Sequence, residues 1–69
     1  MSADESFVNE RHPAAYVSFN SDTGTFKVYS DRITHVALSE SCGSAAAAWS
    51  DAARLIWERD QWRAAATGS

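Results

Sequence analysis

Along residues 14–20 apolar and polar positions alternate, with Ala15, Val17 and Phe19 on one face and Tyr16 and Ser18 on the other. That period of two predicts a half-buried strand. Ser21-Asp22-Thr23-Gly24 follows, a turn-forming start and a glycine able to take positive φ, which predicts a type I turn closing a hairpin with a bulge. Residues 25–30 return with Phe26 and Val28 inward and Lys27 and Tyr29 outward, so two phenylalanines and two valines share one face. Ser30-Asp31-Arg32 makes the next turn. Residues 33–39 are rich in β-branched side chains, with Thr34, Val36 and Leu38 on one side, and read as a third strand. The competing reading is a short helix capped by Ser30 or Asp31, carrying Ile33, Val36 and Ala37 on one stripe.

After a linker over residues 39–44 the period changes from two to 3.6. Ser44 is placed to cap a helix over residues 45–67, which Gly68 then ends. At 100° per residue Ala45, Ala48, Trp49, Ala52, Leu55 and Ile56 form one apolar stripe, with Ser50, Asp51, Arg54 and Glu58 opposite. Past Ile56 the stripe breaks: Arg59, Asp60 and Arg63 occupy positions where apolar residues would continue. A helix of this length reaches roughly 33 Å against about 20 Å for a six-residue strand, so roughly two turns overhang the sheet.

Residues 1–13 are polar apart from Phe7 and Val8, and Pro13 pushes His12 toward an extended conformation. They read as a flexible N-terminal arm. The expected fold is therefore α+β: an antiparallel three-stranded β-meander over residues 14–39, packed on one long C-terminal α-helix over residues 45–67. Residues 14–69 form a single domain.

Sixty-nine residues have material for one core only, and a domain of this size buries only about 60% of the surface its unfolded chain exposes. Small domains compensate with disulfides, metals or association. A lone cysteine, Cys42, excludes an internal disulfide, and Cys42, His12 and His35 are too scattered for a zinc site. No metal and no cofactor is expected, which leaves a protein partner or self-association. A net charge of -3 with a single lysine, Lys27, disfavours direct nucleic-acid binding. No apolar run approaches the roughly 18 residues of a membrane span, and the first ten residues lack the basic start and apolar stretch of a secretion signal. The expected location is cytoplasmic.

Few residues invite chemistry. Cys42 precedes a helix start, where the dipole can activate a thiol, but no base lies within the linker. Gly43-Ser44 could hold an anion on free backbone N–H groups, as most capped helix starts could. No catalytic residue is assigned, and an enzyme is not expected. Charge is unevenly spread: before residue 54 seven carboxylates face three cations, an excess of -4, whereas from Arg54 onward three arginines face two carboxylates, giving +1. An acidic surface around Asp22, Asp31 and Glu40 ordinarily serves solubility, and its sharper use would be to imitate phosphate spacing. At the helix end, Trp57, Arg59, Trp62 and Arg63 are of the types enriched at binding hot spots. They are the candidate partner-binding patch, unless both tryptophans fold back on the sheet edge or on Phe7.

A tiny acidic chain with a hairpin carrying Val17 and Phe19 opposite Phe26 and Val28, then a helix running from Trp49 to Trp62, resembles the phage-encoded inhibitors of bacterial defence, the anti-CRISPR proteins in particular. The resemblance lies in size, charge and layout and has no motif. It implies inhibition by occupancy, with a CRISPR effector subunit as partner. The other class compatible with these residues is a bacterial or phage regulatory subunit, a homodimer joined through the long helix.

Overall fold

The computed structural model describes residues 2–67. In chain order it contains α1 (Ala3–Arg11), β1 (Tyr16–Asn20), β2 (Thr25–Tyr29) and α2 (Ala45–Thr67). The α+β class holds, with the C-terminal helix packed on an antiparallel hairpin. The strand count and the N-terminal arm are corrected.

Where an arm is expected, α1 forms. Ser2, in extended geometry at φ -82° and ψ 162°, accepts from the Glu5 N–H at 3.1 Å, a serine cap with glutamate at the third helical position. Asp4 and Glu5 face the positive end of the helix dipole and Arg11 its negative end. The His12 N–H closes the last turn on the Val8 carbonyl before Pro13. Nine residues are too few to hold a helix in water unaided, and α1 docks on α2 through Val8, which is fully buried. The Arg11 Nε donates to Asp60 at 3.0 Å while its guanidinium lies 3.9 Å over the Phe7 ring.

β1 and β2 pair in register from Tyr16 opposite Tyr29 to Asn20 opposite Thr25. Gly24 takes φ +67°, the positive angle its position requires, and donates to the Asn20 carbonyl at 2.8 Å. The expected bulge is absent: a four-residue loop closes on a directly paired Asn20 and Thr25. Inward parity is as read for Val17, Phe26 and Val28, of which only Val28 is fully buried; Phe19, at the hairpin tip, is 56% exposed.

Residues 33–39 form neither a regular third strand nor a helix. The returning segment touches β2 at two separate bridges, Ala37 opposite Tyr29 and Cys42 opposite Phe26. Three steps along β2 thus face five along the segment, so two extra residues bulge between the bridges. Across that gap Ser39 supplies what the backbone does not: its Oγ accepts from the Val28 N–H at 2.9 Å and donates to the Glu40 carbonyl at 3.0 Å. Leu38 and Ser39 are consecutive and both buried, which period-two alternation forbids in a regular strand. Ahead of the bulge the Asp31 carboxylate accepts from the Ile33 and Thr34 N–H groups and from the Thr34 hydroxyl, holding a tight turn.

α2 begins as read, with Ser44 Oγ accepting from the Ala47 N–H at 3.1 Å. The terminating role read for Gly68 lies outside the described residues. Ala48, Trp49, Ala52, Ala53 and Ile56 join Val8, Val28 and Leu38 in one core. From residue 57 to residue 64 no side chain is buried. The molecule is accordingly elongated, 45 × 23 × 22 Å.

Candidate interaction surface on the end of α2

Asp51, Arg54 and Glu58 form a chain of ion pairs along α2, with Arg54 2.6 Å from Asp51 and 3.2 Å from Glu58. Asp51 also accepts from the Glu40 N–H at 2.9 Å, tying the bulged segment to the helix. That bond is the main reason its carboxyl is held below the usual range, with Arg54 adding to it against the opposing effect of burial. The two carboxylates in turn hold Arg54 above the ordinary guanidinium value.

Within the expected patch of Trp57, Arg59, Trp62 and Arg63, Arg59 and Arg63 line one hollow, while the two tryptophans are set apart. Trp57 and Trp62 are five residues apart, about 140° around a helix, and they stand on opposite flanks of α2. Trp57, 55% exposed, borders an open groove of about 420 Å³ between α1 and α2, with Phe7, Ala53 and Arg54 among its other walls. The alternative of tryptophans folded back on Phe7 is thus half met: Trp57 shares a groove with Phe7 without being buried. Trp62 is 79% exposed. Three and seven residues before it on the same flank come Arg59 and Leu55. Both line a second groove, of about 240 Å³, with Ile56 and with Ala37, Leu38 and Glu40 of the bulged segment. Arg59 and Ile56 also line a third hollow with Arg11, His12, Asp60 and Arg63, where the end of α1 meets α2.

The acidic residues are likewise dispersed. Asp22 sits in the hairpin loop and Asp31 beyond the far end of β2, separated by a strand of five residues, about 17 Å. The Asp31 carboxylate is occupied by its own turn, and hydrogen bonds from the Thr34 and Ile33 N–H groups and the Thr34 hydroxyl lower its pKa. Glu40 stands apart from both, on the rim of the groove beside α2.

Cys42 and His35 are separated by the sheet. Cys42 packs against the core opposite Phe26, and its thiol donates to the Glu40 carbonyl at 3.3 Å. Burial, then the charges of Asp51 and Glu40, push its pKa up, away from the thiolate. His35 adopts φ +56° and stacks on Tyr29 at 4.0 Å on the outer face, where Arg32 covers Tyr16 at 4.2 Å. This aromatic cluster was not singled out from sequence; the outward parity of Tyr16 and Tyr29 is the signal that points to it. Among the described residues no group of three or more His, Cys, Asp or Glu side chains is placed to hold a metal ion, and no helix is long and apolar enough to cross a membrane.

No protein-family model matches the chain, and neither curated proteins nor solved structures give a significant match.

Proposed function

We propose that this chain is a protein-binding module without catalysis of its own, acting by occupancy of a partner's surface through the exposed end of α2. The observation that carries the reading is the pair of tryptophans beyond Ile56, exposed at the end of a helix whose earlier turns fill the core. Exposed tryptophan beside arginine is the composition of binding hot spots, where a few residues carry most of the affinity. The Trp57 flank suits a foreign partner best: it is concave, its wall is continued by Phe7 of α1, and Arg54 at its edge is already fixed by two carboxylates. The partner class is the one implied by resemblance to anti-CRISPR inhibitors, a CRISPR effector subunit whose DNA entry or nuclease recruitment is blocked.

The test is direct. Purified CRISPR effector complexes are titrated with the chain while binding and cleavage of labelled target DNA are followed. Inhibition that is lost by more than about 2 kcal/mol in a Trp57→Ala, Trp62→Ala double variant of unchanged melting temperature supports the reading. Undiminished DNA binding and cleavage across the complexes tested would sink the inhibitor class. The second reading, a helix-mediated homodimer, is favoured by the charges on the opposite flank of α2, where an arginine and a glutamate share one groove.

A further inference from the structure

We infer that the Trp62 flank of α2 is a self-association face, occupied by a second copy of this chain around a two-fold axis. The proposal does not depend on the identity of any foreign partner.

A compact monomer of 7.5 kDa exposes about 4,200 Å², whereas this chain exposes 4691 Å². Its radius of gyration is 12.6 Å, against about 11 Å for a compact chain of the same length. Folding alone leaves the excess uncovered. A standard interface takes about 800 Å² from each partner.

The groove between α2 and the bulged segment has an apolar floor, Leu38, Leu55 and Ile56, and Trp62 stands two turns beyond Leu55 on the same flank. Its rim carries two charges of opposite sign, Arg59 and Glu40. Neither side chain has a hydrogen-bond or ion-pair partner among the described residues. The other charges of this stretch of α2, Asp51, Arg54 and Glu58, are already paired with one another.

In a two-fold dimer the same patch meets itself, so each residue i that touches j of the partner implies j touching i. A groove carrying one unpaired cation and one unpaired anion fits its own copy: Arg59 meets the second copy's Glu40 and Glu40 meets its Arg59, while both Trp62 rings close over the Leu55 and Ile56 floor. A foreign acidic or basic partner would satisfy only one of the two charges. Because Trp57 lies about 140° around the helix, the dimer leaves both Trp57 grooves open.

Sedimentation equilibrium on the full chain, from about 1 µM to 1 mM, reads the outcome. The parent should move from 7.5 kDa toward twice that mass as concentration rises. Arg59→Glu and Glu40→Arg are exposed positions, and each variant places like charges across both symmetry-related contacts, so each should weaken the dimer about tenfold or more. The two variants mixed should re-form a heterodimer of near-parental affinity, since one copy then carries two anions at the positions where the other carries two cations. Trp62→Ala should weaken association and Trp57→Ala should leave it unchanged. A parent that stays monomeric throughout the range overturns the proposal. So does a dimer that survives both charge reversals, or a mixture that associates no better than its components. Loss of effector inhibition in Trp57→Ala with the dimer intact would instead bear on the foreign-partner reading alone.

Discussion

Replacing Ser39 by alanine tests the bulge that stands where a third strand is expected. The Ser39 hydroxyl accepts from the Val28 N–H at 2.9 Å, and both residues are buried, Val28 completely. Alanine keeps the backbone path and fills the same space less one oxygen, so packing changes little. What changes is that the Val28 amide, enclosed by Leu38 and the α2 core, is left with no acceptor and no access to water. An unsatisfied buried amide costs about 1–3 kcal/mol. The lost bond to the Glu40 carbonyl at 3.0 Å adds little, because Glu40 is exposed and water replaces the hydroxyl. For a domain of this size each kcal/mol moves the melting temperature by about 4–8 °C, so the variant should melt roughly 5–20 °C below the parent. Thermal and urea unfolding by circular dichroism measure this, with Ser41→Ala, an exposed position two residues on, as the control expected within about 0.5 kcal/mol of the parent. If Ser39→Ala melts with Ser41→Ala, the hydroxyl does not carry the Val28 amide and the account of the bulge is wrong.

Three further outcomes are expected. Val8→Ala should destabilise by about 2 kcal/mol in urea unfolding, from two buried carbons at about 0.8 kcal/mol each plus the cavity left; an undocked N-terminal segment would give no change. Asp51 is held below its usual pKa by the Glu40 N–H and Arg54, so its stabilising effect is fully present above the unfolded value of about 3.9 and is lost as pH falls through the lower folded value. Asp51→Asn should therefore melt lower than the parent at neutral pH and converge with it below about pH 4, and a constant gap across that range would refute the assignment. Cys42, with its pKa raised by burial and by Asp51 and Glu40, should react with a thiol reagent at pH 7 more slowly than an unstructured peptide cysteine, and Cys42→Ser should keep both fold and association.

The long helix was readable because its apolar stripe runs unbroken for three turns and both its cap and its interior favour helix. The hairpin was readable from alternation on both strands around a turn with glycine in the right place. Two elements were not. In α1 the cap was legible, Ser2 followed by Glu5 at the third helical position, with acidic residues first and Arg11 last. The short apolar content, Phe7 and Val8, gave no stripe, however, and the partner that stabilises the helix, α2, lies some forty residues away. In residues 33–39 the β-branched content spoke for a strand, yet the outcome was decided by tertiary contacts: a turn held by Asp31, a histidine at positive φ resting on Tyr29, and a serine hydroxyl standing in for backbone. Composition reports none of these, because each depends on which group a side chain meets after the chain has folded back.

The candidate site divides along the same line. That residues beyond Ile56 leave the core follows from period alone, and so does the separation of Trp57 from Trp62, since a spacing of five cannot place two side chains on one face of a helix. What the period cannot supply is the neighbour on each flank. Trp57 has Phe7 beside it because α1 folds back across α2; Arg59 has Glu40 beside it because a two-residue bulge carries Glu40 to the helix, where Asp51 holds its amide. One stretch of helix thereby acquires two surfaces of different character. The first is concave, with Arg54 fixed by two carboxylates and Asp4 of α1 also on its wall, and a foreign protein can enter it. The second carries balanced, unpaired charges over an apolar floor, which its own copy satisfies better than any partner of a single sign. Both surfaces are produced by the two segments whose structure composition alone could not fix, so Glu40→Arg, which reverses the charge that the bulge carries to α2, should weaken self-association while leaving the Trp57 groove intact.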